Sequence, residues 1–129
     1  MTKRPVRTEA APAPFQGAPY SQAIRANGLV FVSGQLALVP GGKEIVPGGI
    51  AEQTEQVLAN LRAILEAAGS SLEQIVKTTV FLKNLDDFAG MNEVYARHIG
   101  NVPPARSTVE VAKLPSGALV EIEAVAVLD

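Results

Sequence analysis

The sequence predicts an α+β fold, a mixed sheet of about five or six strands with two helices packed on one face. Three observations carry this. Residues 50–68 repeat apolar side chains at helical spacing, and so does the stretch from Asn84 to Gly100. Several shorter segments are rich in β-branched residues and bounded by Gly, Pro or Asn. The order reads strands, helix, strand, helix, two strands, and two helices are too few to cover both faces of such a sheet.

Residues 1–14 are rich in Pro and Ala with mixed charge and predict a flexible N-terminal lead-in. A single domain is expected over 15–129. "GAPYSQAIRANG" reads as extended and ends in Asn27-Gly28, a two-residue turn signal between strands. "LVFVSGQLALV" is a strand interrupted at Gly34, where a bulge or bend is expected. Two "PGG" triplets punctuate a loop around "KEIV".

The first helix places Ile50, Val57, Leu58, Leu61, Ile64, Leu65 and Ala68 on one face, with Glu, Gln and Arg on the other. "QIVKTTVFLKN" follows as a strand. Asn84 is placed to cap the second helix, with Asp86 and Asp87 in the first turn where the helix dipole favours anions. Leu85, Phe88, Met91, Tyr95 and Ile99 form its expected apolar stripe. "ARSTVEVAKL" and "ALVEIEAVAVL" are the last two strands, joined at Pro115-Ser116-Gly117.

The last strand alternates in an informative way. Val120, Ile122, Ala124, Ala126 and Leu128 are continuously apolar and suit the helix-covered core. Leu119, Glu121, Glu123, Val125 and Val127 mix carboxylates with aliphatics. A freely solvated face is usually more polar, so this one reads as a subunit interface containing a polar site.

Composition narrows the chemistry. The chain has 129 residues, 47% hydrophobic and 19% charged, a globular balance. No cysteine is present, which excludes disulfides, thiolate nucleophiles and cysteine metal sites. One histidine cannot supply a usual metal cluster, and His98 reads as structural or surface. A net charge of −2 gives no electrostatic footprint for nucleic acid. No apolar stretch is long enough to cross a bilayer and no signal peptide is visible, so a cytoplasmic location is expected.

The polar candidates left are Arg106, Glu110, Glu121, Glu123, Tyr20, Ser21, Ser33 and Asn92. Arg106 stands behind Pro103-Pro104 at the head of a β-branched run. Its fork suits a carboxylate gripped through two parallel hydrogen bonds. That carboxylate belongs either to a ligand or to a protein residue across an interface. If the last two strands pair directly around Ser116, Arg106 faces Val125 to Val127 and Glu121 faces Glu110 to Ala112. Arg106 and Glu121 then lie roughly 13 Å or more apart, too far for an ion pair within the chain.

"GQLAL" after "FVS", "NLRAILEAAGSSLEQIVKTTVFLKNLDDFAGMNEVY" and "PPARSTVEVAKLPSGALVEIEAVAV" closely resemble the RidA/YjgF family of reactive-intermediate deaminases. The resemblance runs from about Gly17 to Val127. It implies a chorismate-mutase-like fold assembled as a homotrimer with its sheets facing inward and its active sites between subunits. It implies hydrolysis of enamines and imines, such as 2-aminoacrylate, 2-iminopropanoate and 2-iminobutanoate, to 2-oxo acids and ammonia. No metal or other cofactor is implied, nor a membrane.

Carried over by position, Arg106 matches the arginine that binds the substrate carboxylate. Glu121 matches the glutamate that orients water or handles protons. Tyr20, Ser33 and Asn92 match residues lining the cleft, and Thr108 stands where some members carry cysteine. "GAPYSQA" has an alanine between Gly17 and Pro19 that the commoner pattern lacks. Two other functions remain open. One is a ribonuclease or RNA-binding translation inhibitor, disfavoured by the charge. The other is a metabolite-binding or chaperone-like trimer without turnover.

Overall fold

The computed structural model describes residues 2–128. Six strands form one sheet: β1 (Arg4–Val6), β2 (Ala23–Ala26), β3 (Leu29–Gln35), β4 (Ile75–Leu82), β5 (Ala105–Glu110) and β6 (Val120–Val127). Two helices, α1 (Ile50–Ala67) and α2 (Phe88–His98), separate them. The spatial order is β1-β2-β3-β6-β4-β5. Neighbours are antiparallel except β4 and β5, which are parallel. This is the mixed sheet with both helices on one face that the sequence predicts.

The local signals explain most elements. Asn27 and Gly28 both have positive φ, 53° and 77°, as a tight turn between twisted antiparallel strands requires. The β3–β6 register shifts between Val32 and Gln35, so the expected irregularity falls at Ser33-Gly34. Asn84 Oδ1 accepts the Asp86 N–H at 2.8 Å, capping the single turn Leu85–Asp87 that leads into α2.

Alternation along β6 sets the two layers. Val120, Ile122, Ala124 and Ala126 are buried beneath the helices. Glu121, Val125 and Val127 on the other face are half-buried, and Glu123 is exposed. Leu58, Leu61, Ile64 and Leu65 of α1 and Met91 and Val94 of α2 pack in one cluster with Val30, Val80, Leu82 and Ile122. Leu61 is fully buried. Leu61→Ala is therefore expected to cost about 3–5 kcal/mol, read as a lowered urea midpoint with unchanged slope.

Three expectations need correction. The last two strands do not form a hairpin. β6 is held between β3 and β4, while β5 pairs with β4 at the sheet edge. The cause is connectivity and burial together. The α2 crossover delivers β5 parallel to β4. β6, with a fully apolar core face, takes the centre, and β5 has no fully buried residue.

The second correction concerns the expected flexible lead-in, of which residues 4–12 are tied to the sheet and core. Arg4–Val6 pairs with Ala23–Arg25, and Val6 and Ala11 join the core. The buried Gln22 side chain holds this segment. Its Oε1 accepts the Thr8 N–H at 2.8 Å, and its Nε2 donates to the carbonyls of Thr8, Ala11 and Pro12. One side chain thus satisfies backbone groups that would otherwise be stranded in a proline-rich stretch.

Third, Leu85 and Phe88 do not join the apolar stripe; they are 45% and 42% exposed at the entry to α2.

Candidate active site

Arg106 roots in the edge strand β5 directly opposite Thr78 of β4. Thr78, Val80 and Leu82 point to the helix-covered face, so the register puts Arg106, Thr108 and Glu110 on that face as well. The Arg106 guanidinium carbon lies 4.9 Å from the Tyr95 ring centroid and 5.5 Å from that of Phe88. Both rings come from α2. Among the described residues the ion pairs are those of Glu55 and Glu93 with Arg97 and His98, and no carboxylate pairs with Arg106.

Thr108 lies two residues along the same face, and its buried Oγ1 meets no hydrogen-bond partner among the described residues. Asn92 is half-buried on α2, one turn from Phe88 and from Tyr95, and so shares their side of the helix. Arg106, Thr108 and Asn92 thus belong to one edge of the molecule, on the helix face.

Glu121 belongs to the other face. It stands at the start of β6, opposite Phe81. Its carboxylate passes directly over the Gly34 backbone. A Cβ built on Gly34 would overlap Glu121 Oε2 outright and lie 2.9 Å from Cδ. Burial, and secondly the neighbouring Glu123 charge, push the Glu121 carboxyl above its ordinary range.

Tyr20, Ser33 and Glu121 line one cleft of about 450 Å³, together with Phe15, Leu36, Leu38 and others. Ser33 Oγ donates to the Ser21 carbonyl at 2.6 Å, and the Tyr20 hydroxyl accepts the Phe15 N–H at 2.5 Å. Asn60 Nδ2 donates to the carbonyls of Leu36 (3.0 Å) and Leu38 (2.8 Å), tying the cleft wall to α1.

The six residues named from sequence therefore fall into two candidate half-sites on opposite faces of the sheet. Arg106, Thr108 and Asn92 make one, and Glu121, Ser33 and Tyr20 the other. The inference that Arg106 and Glu121 do not pair within the chain stands. Its reason is not the distance along a hairpin but the opposite facing of the two side chains. His98 joins neither half-site. Its Nε2 faces Glu55 Oε2 at 2.9 Å and its Nδ1 faces Arg62 Nη2 at 3.1 Å, fastening α2 to α1.

Sequence reasoning missed the rings around Arg106, because Phe88 and Tyr95 at helical spacing read as core. It also missed the Gly34–Glu121 approach, although a glycine inside a strand is the signal for one.

The raised Glu121 carboxyl carries a sign for stability. A carboxyl raised in the folded state contributes stability at low pH that is lost as pH rises through its folded pKa. At neutral pH the ionised Glu121 therefore opposes folding. Glu121→Gln is expected to melt above wild type at about pH 8, and this gain is expected to vanish at about pH 4.

An arginine with no carboxylate partner among the described residues, a half-buried carboxylate with a raised pKa in a separate cleft, and a six-stranded mixed sheet under two helices define the α+β class of the chain. The chain belongs to the Endoribonuclease L-PSP family, which includes the RidA/YjgF proteins; the family model matches residues 8–128. It is 53% identical to RutC family protein PH0854 of Pyrococcus horikoshii, over 96% of this chain and 97% of that protein. It is 43% identical to the 2-iminobutanoate/2-iminopropanoate deaminase of Mus musculus, over 98% and 93%. Among solved structures, yeast Mmf1 superposes with a TM-score of 0.94 at 46% identity, covering 99% of this chain and 100% of that one. E. coli TdcF, solved with bound serine, superposes with a TM-score of 0.89 at 40% identity, covering 98% and 99%.

Proposed function

We propose that this protein hydrolyses enamines and imines of small 2-amino acids, such as 2-aminoacrylate, 2-iminopropanoate and 2-iminobutanoate, to 2-oxo acids and ammonia. The observation that carries the reading is Arg106, which is charged, half-buried and unpaired with any carboxylate of the described chain. Its fork is free for a substrate carboxylate. The deaminase name of the mouse relative and the serine held by TdcF support a small carboxylate ligand of this kind.

The chemistry asks little of the protein. An enamine first gains a proton at carbon to become the imine. Water then adds to the C=N carbon, giving a carbinolamine. Proton transfer to its nitrogen lets ammonia leave as the C=O forms. Arg106 fixes the substrate by its carboxylate and turns a random encounter into an oriented one. Glu121, with its pKa raised, accepts a proton from the attacking water and returns it to nitrogen. No metal or other cofactor enters this scheme.

Since the two half-sites face opposite ways in one chain, the proposed site is completed between subunits. Arg106, Thr108 and Asn92 of one meet Glu121, Ser33 and Tyr20 of the next. A homotrimer with sheets facing inward does this and covers the half-apolar face of Phe31, Val125 and Val127. We place the protein in the cytoplasm; no helix among the described residues is long and apolar enough to cross a membrane.

The test is release of 2-oxo acid from freshly generated 2-aminoacrylate or 2-iminobutanoate. Acceleration above the rate in buffer supports the reading. No acceleration by a folded wild type sinks it and leaves metabolite binding without turnover.

A further inference from the structure

Resting on the reading of Arg106 as the carboxylate-binding group, we propose that Tyr95, anchored by Thr78, is a positioning residue that holds the Arg106 guanidinium in place, with Phe88 closing its outer side. The geometry is a closed triangle across three elements. Thr78 lies opposite Arg106 in the β4–β5 ladder. The Thr78 hydroxyl and the Tyr95 hydroxyl are 2.7 Å apart in a buried hydrogen bond. The Tyr95 ring then presents itself 4.9 Å from the guanidinium carbon. Strand, helix and edge strand thus share one frame of reference.

Each part meets a need of the others. A half-buried guanidinium loses hydration and wants compensation. A carboxylate partner would supply it but would also occupy the N–H donors that a ligand needs. Ring faces attract the cation through their quadrupole and leave the in-plane donors free. The ring must itself be held, since a long arginine on an edge strand has many rotamers. Tyr95 is 6% exposed and Thr78 1%, so their hydroxyls have no water to turn to and lock one another. Phe88 is 42% exposed and serves as a lid rather than an anchor.

If Tyr95 only filled the core, its substitution would alter stability and nothing else. As a positioning residue it also sets affinity for carboxylates. Arg106 holds the carboxylate in ground and transition states alike, so loosening it acts on KM more than on kcat.

The experiment compares wild type with Tyr95→Leu, Tyr95→Phe and Thr78→Val. It measures pyruvate affinity by titration, KM and kcat for 2-iminobutanoate, and the NMR resonance of the Arg106 Nε–H, assigned by its absence in Arg106→Lys. In wild type that resonance is expected upfield, shielded by the two rings. Tyr95→Leu is expected to lose much of this shift and to raise the pyruvate Kd and the KM about five- to tenfold, with kcat within about twofold. Tyr95→Phe and Thr78→Val, which remove the same hydrogen bond from either side, are expected to weaken pyruvate binding equally, by about two- to threefold.

A cooperatively folded Tyr95→Leu with wild-type pyruvate affinity overturns the proposal. Should that variant not fold, unchanged affinity in both Tyr95→Phe and Thr78→Val overturns it instead. Wild type that binds pyruvate but turns over no imine sinks the deaminase reading and leaves the positioning role standing. Wild type that binds no pyruvate sinks both.

Discussion

Arg106→Ala is expected to lower kcat/KM for 2-iminobutanoate by about 10²–10³-fold while leaving the fold intact. The size follows from what the residue does in the proposed site. It supplies the charge-assisted contact that orients a substrate of few atoms, and a small substrate has little else to hold it by. The small effect on stability follows from its position. Arg106 roots in an edge strand and makes no ion pair among the described residues, so its removal breaks only ring contacts. Arg106→Lys keeps the charge but not the planar fork, and is expected to recover at most about a tenth of the lost activity. Steady-state kinetics beside a thermal melt checks both halves. Equal activity in Arg106→Ala and wild type would make the arginine structural.

Gly34→Ala is expected to have the opposite balance from an ordinary core mutation, with little loss of stability and an activity loss of about tenfold or more. The added methyl would occupy the space where the Glu121 carboxylate now passes over the strand. The obstacle is the end of a flexible side chain, so the carboxylate swings aside instead of the backbone giving way, and stability falls by only about 1 kcal/mol. The bulge there needs no left-handed backbone, so alanine meets no conformational penalty. The carboxylate is then out of place for water and nitrogen. The double variant settles the cause. In a Glu121→Gln background, Gly34→Ala is expected to cost little further activity, because residues acting through one group are not additive. An additive loss would mean that Gly34 acts on the cleft by another route.

Much of the fold was legible because its signals are local. Asn27-Gly28 specifies a turn by the backbone angles it permits, and Gly34 marks a break in β3. The α1 stripe from Val57 to Leu65 has helical spacing, and the Val120–Ala126 alternation names the buried face of β6. The candidate residues were named from their chemistry and their roles from resemblance, and spacing left open what Arg106 binds. Other features were hidden because their cause is distant in sequence. Gln22 orders residues 8–12 from across a turn. Thr78 fixes Tyr95, seventeen positions on. β5 and β6 look like neighbours in the chain, yet β4 lies between them.

The sequence by itself determined the class of fold, the two helices, the apolar face of β6 and the shortage of metal ligands. These depend on the periodicity and identity of residues within a few positions of one another. The tertiary structure decided that β6 is central and β5 an edge, and with that the two faces on which the half-sites lie. It also decided that Arg106 rests on rings instead of a carboxylate, and that Glu121 leans over Gly34. Such outcomes turn on which strands compete for the buried centre of the sheet. That competition is settled by the burial of the whole chain at once, and no local stretch encodes it.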